Sequence, residues 1–221
     1  NYDSLFELAD KMLYRGKMKG RSCFIIYLAE KHKNLNLKCE QDKGISSMAL
    51  CARSFKLLTE TPCIATNIAN LFKYLVSYYM FDHICIETND KICLEVMHTL
   101  AKNKQFKPID LEKLKNFENV NGFVSLNTTS VLSGIRGGGL MKELEEQHIS
   151  SALYCKIAVH GREYGYIRVD MTDTSRVWQP TEIDLVMMAA NMIALMLYSD
   201  NITPNEFIHI DSAVIGETAQ V

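Results

Sequence analysis

A chain of 221 residues, 48% hydrophobic and 23% charged, can bury a full core as one large domain or two small ones. A net charge of -2 and a pI near 6.3 give no basis for nucleic acid or an anionic membrane surface as partner. The seven cysteines are scattered, with no Cys-x-x-Cys, and the histidines show no ligand spacing. Reduced thiols in a cytoplasmic setting are therefore expected, with no structural metal and no cofactor required by the sequence. No apolar run approaches the roughly 20 residues of a spanning helix, no signal peptide heads the chain, and a first residue of Asn1 reads as the cut end of something longer.

The first unit covers residues 1–28. Asp3 or Ser4 can cap a helix in which Leu5, Leu8, Ala9, Met12 and Leu13 share a face, Gly20 ends it, and Ser22 to Leu28 reads as a strand. The run from Phe6 to Lys17, with Gly20-Arg21, resembles the closing helix of a GGDEF (diguanylate cyclase) domain, which carries Ala-Asp, Leu-Tyr, Ala-Lys and Gly-Arg in this order. Gly16 departs from the usual alanine, weakening the helix by ~1 kcal/mol. The resemblance implies phosphate-contacting roles for Lys17 and Arg21; the residues themselves read as a solvated basic helix end, and that reading is preferred in this chain. The Gly-Gly-(Asp/Glu)-Glu-Phe loop is absent, so no cyclase activity is expected of this chain.

Residues 29–44 are a polar linker by composition. Ile45 to Leu58 reads as a helix with Ile45, Met48, Ala49, Ala52 and Phe55 at helical spacing, and Ile64 to Tyr79 as a second, carrying Ile68, Leu71, Leu75 and Tyr78. Asp82 to Thr88 and Lys91 to Val96 form a hairpin about Asn89-Asp90. A short helix follows near Leu111 to Phe117, then a strand at Gly122 to Asn127, a loop through Leu132 to Gly139, and a short helix from Leu140 to Gln147.

Ser151 to Val159 and Tyr164 to Met171 make a second hairpin across the break at 160–163. Pro180 opens a helix that runs to Ser199 with apolar residues on several sides: Ile183, Val186, Met187, Ala190, Ile193 and Leu197 on one, Leu185, Met188, Met192 and Met196 on another. One face is expected on the sheet and another against a partner chain. The tail at 201–221 either begins a further domain or folds back on the sheet edge.

This order of elements, with Arg162 to Val169 and Trp178 to Ala194 as local matches, is similar to a GAF domain over about residues 45–200. The resemblance implies an α/β (α+β) fold: an antiparallel sheet of five or six strands, with three helices on one face. A small-molecule pocket would lie under the irregular insert on the other. It also implies homodimers through the helices Ile45–Leu58 and Thr181–Ser199.

Alternation places Ile84, Ile86, Ile157, Val159, Ile167 and Val169 toward the helices. His83, Cys85 and Glu87, with Tyr154, Lys156, Tyr166, Arg168 and Asp170, then face the pocket. These residues suit a planar or anionic ligand, and equally a partly solvated sheet face. Arg136 and the triple glycine before Leu140 offer an anion cradle or a mobile lid. The expected function is a sensory module that binds an unidentified small ligand, dimerises and regulates an attached GGDEF domain. The alternatives are a thiol enzyme like the free methionine sulfoxide reductases of this fold, using Cys85, Cys93 or Cys155, and a dimerisation spacer without ligand. Alternation sets Cys155 on the core side, away from Cys85.

Overall fold

The computed structural model describes residues 47–89, 91–127, 131–172, 176–207 and 213–215, together with positions 9 and 12, both helical. The rest of the 1–28 unit, Lys17 and Arg21 included, and the 29–44 linker lie outside the described residues.

Helices α1 (Ser47–Leu58) and α2 (Ile64–Tyr79) precede strands β1 (His83–Glu87) and β2 (Ile92–His98). A 3-10 turn (Thr99–Ala101), helix α3 (Leu111–Lys115), β3 (Phe123–Asn127) and α4 (Val131–Glu146) make the insert. The hairpin β4 (Ser151–Val159) and β5 (Arg162–Met171) leads to α5 (Pro180–Ser199), a 3-10 turn (Pro204–Glu206) and β6 (Ala213–Ile215). The sheet order is β3-β4-β5-β1-β2-β6. Five strands pair antiparallel; β6 adds to β2 in parallel. Of the tail, residues 213–215 thus lie along the sheet edge.

The core follows from alternation. Ile84, Ile86, Leu153, Ile157, Ile167 and Val169 meet Ile68, Leu71, Phe72 and Leu75 of α2 and Val186, Ala190, Ile193 and Leu197 of α5. At roughly 25 cal/mol per Å² of apolar surface, this layer dominates the stabilisation. A second, smaller core on the opposite face joins Leu111 and Leu114 of α3, Leu140, Met141 and Leu144 of α4, and Tyr154 and Tyr166 of the hairpin.

The apolar stripe of α1 turns away from the core: Met48 and Phe55 are exposed at 78% and 57%, while Leu50, Ser54 and Leu58 point inward. Three expectations are corrected. The loop expected through Leu132 to Gly139 is helix, because α4 starts at Val131 and runs unbroken into the stretch from Leu140. Tertiary burial of Leu140, Met141 and Leu144 overrides the low helix propensity of four glycines, Gly134 and Gly137 to Gly139. The hairpin break is only His160-Gly161, since Val159 pairs with Arg162. Both residues have positive φ, the two-residue turn whose twist matches the strands. Finally, α5 is a 20-residue helix long and apolar enough to cross a membrane by length and composition. Its Leu185, Val186, Ala189, Ala190, Ile193, Ala194 and Leu197 are instead buried within this fold.

Candidate functional site

The insert-side face of the sheet carries a row of charges on adjacent strands. The β1–β5 register sets His83 opposite Asp170, Cys85 opposite Arg168 and Glu87 opposite Tyr166. On the far side of β1, Cys85 pairs with Glu95. The alternation that sends Ile84 and Ile86 to the core forces these polar neighbours the other way.

Arg168 is the centre. Its Nε donates to Asp170 Oδ1 at 3.0 Å, and Nη1 donates to Glu87 Oε2 at 3.0 Å and to the Lys107 carbonyl at 2.9 Å. Nη2 donates to Gln147 Oε1 at 3.3 Å. His83 places Nδ1 2.8 Å from Asp170 Oδ2 and Nε2 3.1 Å from Glu95 Oε2. Glu87 Oε1 accepts the Ile109 N–H. Among these, His83, Glu87, Arg168 and Asp170 are fully buried.

Burial penalises each charge, so the partners decide its state. Burial would lower the His83 pKa, yet its hydrogen bonds to Asp170 and Glu95 raise it above its ordinary value. A ring with a carboxylate at each nitrogen is suited to carry two protons. Burial would raise Asp170; Arg168 and His83 bring it below the usual carboxylate range. For Glu87 burial outweighs Arg168, and its pKa is raised. With His83 protonated, the four buried groups sum to zero charge, and Glu95 stands at the rim with 22% of its side chain exposed.

The expected site residues divide. His83, Cys85, Tyr154 and Arg168 come together, with the Tyr154 ring 5.9 Å from the Arg168 guanidinium carbon. Burial pushes the Cys85 thiol well above the usual range. Lys156 and Tyr166 form a second, outer group: Lys156 lies 2.7 Å from Glu118 and 3.2 Å from Glu163, with its ammonium 5.9 Å from the Tyr166 ring centroid. The Arg136 side chain lies outside the described side chains. The anion cradle expected at a helix start near Leu140 is corrected, because the N–H groups there sit inside α4 and serve the helix itself.

Sequence reasoning missed Phe106, Lys107, Ile109 and Gln147. Phe106 stacks on His83 with centroids 3.9 Å apart and planes 4° apart. No periodicity marks an irregular segment, so nothing in the sequence pointed to it. Glu95 was accessible in principle, through the alternation of β2.

An open cavity of about 400 Å³ lies beside this cluster, at the end of the sheet, rather than over it. Thr88, Asn89, Lys115, Arg162, Tyr166 and Asn205 contribute to its walls. Among the described residues no three His, Cys, Asp or Glu side chains converge as a metal site. Cys155 sits in the main core, on the opposite face from Cys85, and burial pushes its thiol up to about 12.

No protein-family model and no curated protein matches the sequence. Solved structures match the chain in fold. The wild-type chromophore-binding domain of Stigmatella aurantiaca phytochrome P1 aligns with a TM-score of 0.57 at 9% identity, over 69% of this chain and 60% of that one. The phycocyanobilin-bound GAF domain of a cyanobacterial phytochrome aligns with a TM-score of 0.54 at 8% identity, over 75% of this chain and 98% of the domain. A phycoerythrobilin-bound GAF domain from a cyanobacterial phytochrome gives 0.55 at 9%, over 70% and 96%. The chain spans about 60% of the length of the Stigmatella structures and nearly all of the isolated domains. Likeness at this identity concerns the fold, and the fold is of the GAF type: an α/β architecture whose antiparallel five-strand sheet carries packed helices.

Proposed function

We propose that this chain is the sensory module of a signalling protein, which recognises a small molecule and transmits its presence through paired helices rather than making or breaking bonds. The observation that carries the reading is the buried Arg168 cluster. Arg168, His83, Asp170 and Glu87 are fully buried on the insert side of a GAF-type sheet. Replacing buried ions by apolar side chains often leaves a fold as stable or more so, so such a cluster is weakly explained by stability alone. Recognition accounts for it directly, since convergent, fixed polar groups give orientation and specificity to a bound molecule. A homodimer through α1 and α5 is part of the proposal, supported by the exposed Met48, Phe55, Leu195 and Tyr198 on those helices. Regulation of an attached GGDEF domain rests on the pattern at residues 6–21 alone. A thiol enzyme using Cys85 or Cys155 draws less support, because a thiol held protonated by burial is a poor nucleophile.

Native mass spectrometry of the purified chain tests the reading. A dimer, with a small molecule retained or taken up from a metabolite library, is the expected result. A monomer at every accessible concentration, together with no bound molecule, sinks it.

A further inference from the structure

Residues 104–110 form a strap with no helix or strand of their own, running from the 3-10 turn to α3 across the polar face. The Ile109 side chain anchors the strap in the second core and the Asp110 carboxylate caps α3, while every polar contact of the strap with the buried cluster is made by its main chain. The Lys107 carbonyl accepts from Arg168 at 2.9 Å, and the Lys107 N–H donates to Gln147 Oε1 at 2.7 Å. The Ile109 N–H donates to Glu87, and the Asp110 N–H donates to Glu143 Oε2 at 3.1 Å. One ring completes the set, with Phe106 flat on His83 at 3.9 Å. The Lys107 and Pro108 side chains are exposed. The cluster therefore receives from the strap one planar face, one carbonyl and one N–H, and no charge.

We propose that the strap is an internal occupant of the pocket, standing where a neutral planar heterocycle with a carbonyl and an N–H on one edge (a lactam) binds by displacing it. This deepens the sensory reading above and rests on it. Charge selects the ligand class. Arg168 already faces Asp170 and Glu87, and with His83 protonated the buried groups are neutral, with Glu95 adding a negative charge at the rim. An anion would bring unpaired negative charge into that setting, whereas a lactam replaces the strap's acceptor on Arg168 and its donor on Glu87 one for one. A further group waits on the same face. The Tyr154 hydroxyl is buried with no hydrogen-bond partner among the described residues, in a side chain that is fully buried. Buried hydroxyls are nearly always satisfied, so an orphan beside a recognition cluster points to a partner that arrives with a ligand.

Phe106→Ala vacates a ring-sized space on His83 and loosens the strap, with Phe106→Leu as a milder second variant. The probe is carbostyril, a bicyclic lactam, with N-methylcarbostyril (donor removed) and quinaldate (an anion of similar size) as controls. Calorimetry is expected to give at least tenfold tighter carbostyril binding to either variant than to the unsubstituted chain, and at least tenfold preference over both controls. Hydrogen exchange at the Lys107 and Ile109 amides should quicken at least tenfold in the variants, while β5 amides remain protected and so report an intact fold. Equal binding of quinaldate overturns the proposal, as does no carbostyril binding by a variant with protected β5. If that happens while native mass spectrometry still shows a dimer with another bound molecule, only the strap inference fails. A monomer without any bound molecule removes the sensory reading beneath it.

Discussion

Arg168 meets two carboxylates, a main-chain carbonyl and an amide oxygen, so its loss leaves Asp170 and Glu87 buried without their cation. Removing one partner of a buried pair costs about 3–5 kcal/mol, and Arg168→Leu is expected to lower the urea-unfolding free energy by that amount. Loss of under about 1 kcal/mol would mean that the cluster is open to water. His83 gives the cluster a pH dependence whose sign is fixed. Its folded-state pKa lies above the ordinary value, so the stability it contributes is fully present below about pH 6.5 and is lost as pH rises through the folded value. Glu87, also raised, acts in the same direction from its own lower starting point; Asp170, lowered, loses its contribution only in acid. Stability measured by urea titration should therefore fall above about pH 6.5, and His83→Gln should flatten that slope. Thiols report burial independently. Cys63 is exposed at the start of α2, where the Thr66 side chain and backbone lower its pKa, whereas Cys85 and Cys155 are buried and raised. Iodoacetamide followed by peptide mass spectrometry should find Cys63 alkylated first among the described cysteines, and Cys85 and Cys155 only after unfolding.

At the scale of elements, β5 depends on one glycine. Gly165 has φ +124°, and a Cβ placed there would stand 2.3 Å from the Glu87 carbonyl oxygen. Register shifts fall close by, between Ile86 and Glu87 in the β1–β2 pair and between Ile157 and Ala158 in the β4–β5 pair. Gly165→Ala must therefore move backbone on β1 as well as strain its own. A loss of at least ~2 kcal/mol in thermal or urea unfolding is expected, with a shifted environment for Arg168. How far such features were legible differs from one element to the next. The strands were readable because buried and polar positions alternate cleanly, as Ile84 and Ile86 do against His83, Cys85 and Glu87. The inner face of α1 was not, because its sequence offers two faces: Leu50, Ser54 and Leu58, or Met48, Ala49, Ala52 and Phe55. Periodicity finds a stripe, but it cannot say whether the sheet or another molecule covers it. The start of α4 was hidden for a different reason, since local propensity in Gly137-Gly138-Gly139 opposes a helix that packing completes. The Phe106 strap was beyond reach because its polar contacts with the cluster come from main-chain groups, which every residue carries alike, and no periodicity marks where its one ring falls.

For the molecule as a whole, the distribution of apolar surface is what the fold leaves unresolved. α5 covers the sheet with one side, yet Leu195 at 53% and Tyr198 at 48% exposure look outward, near half-buried Met188 and Met192. α1 packs against both α2 and α5 and turns Met48 and Phe55 away from the core. Scattered exposed apolar residues need no explanation, but four large ones on two neighbouring helices argue for a partner. A 20-residue helix is about 30 Å long, which suffices for a standard interface of about 800 Å² per subunit when α1 lies alongside. A second copy of the chain would bury the same stripe on both sides of a twofold axis. Phe55→Glu combined with Leu195→Glu would then set like charges against each other across that axis, in a surface that an isolated subunit leaves in water. The expected outcome is a dimer for the unsubstituted chain and a monomer for the double variant in sedimentation equilibrium, with unfolding free energy per monomer unchanged to within about 0.5 kcal/mol once dissociation is accounted for. A double variant that stays dimeric moves the interface elsewhere, and with it the route by which pocket occupancy would reach a neighbouring domain.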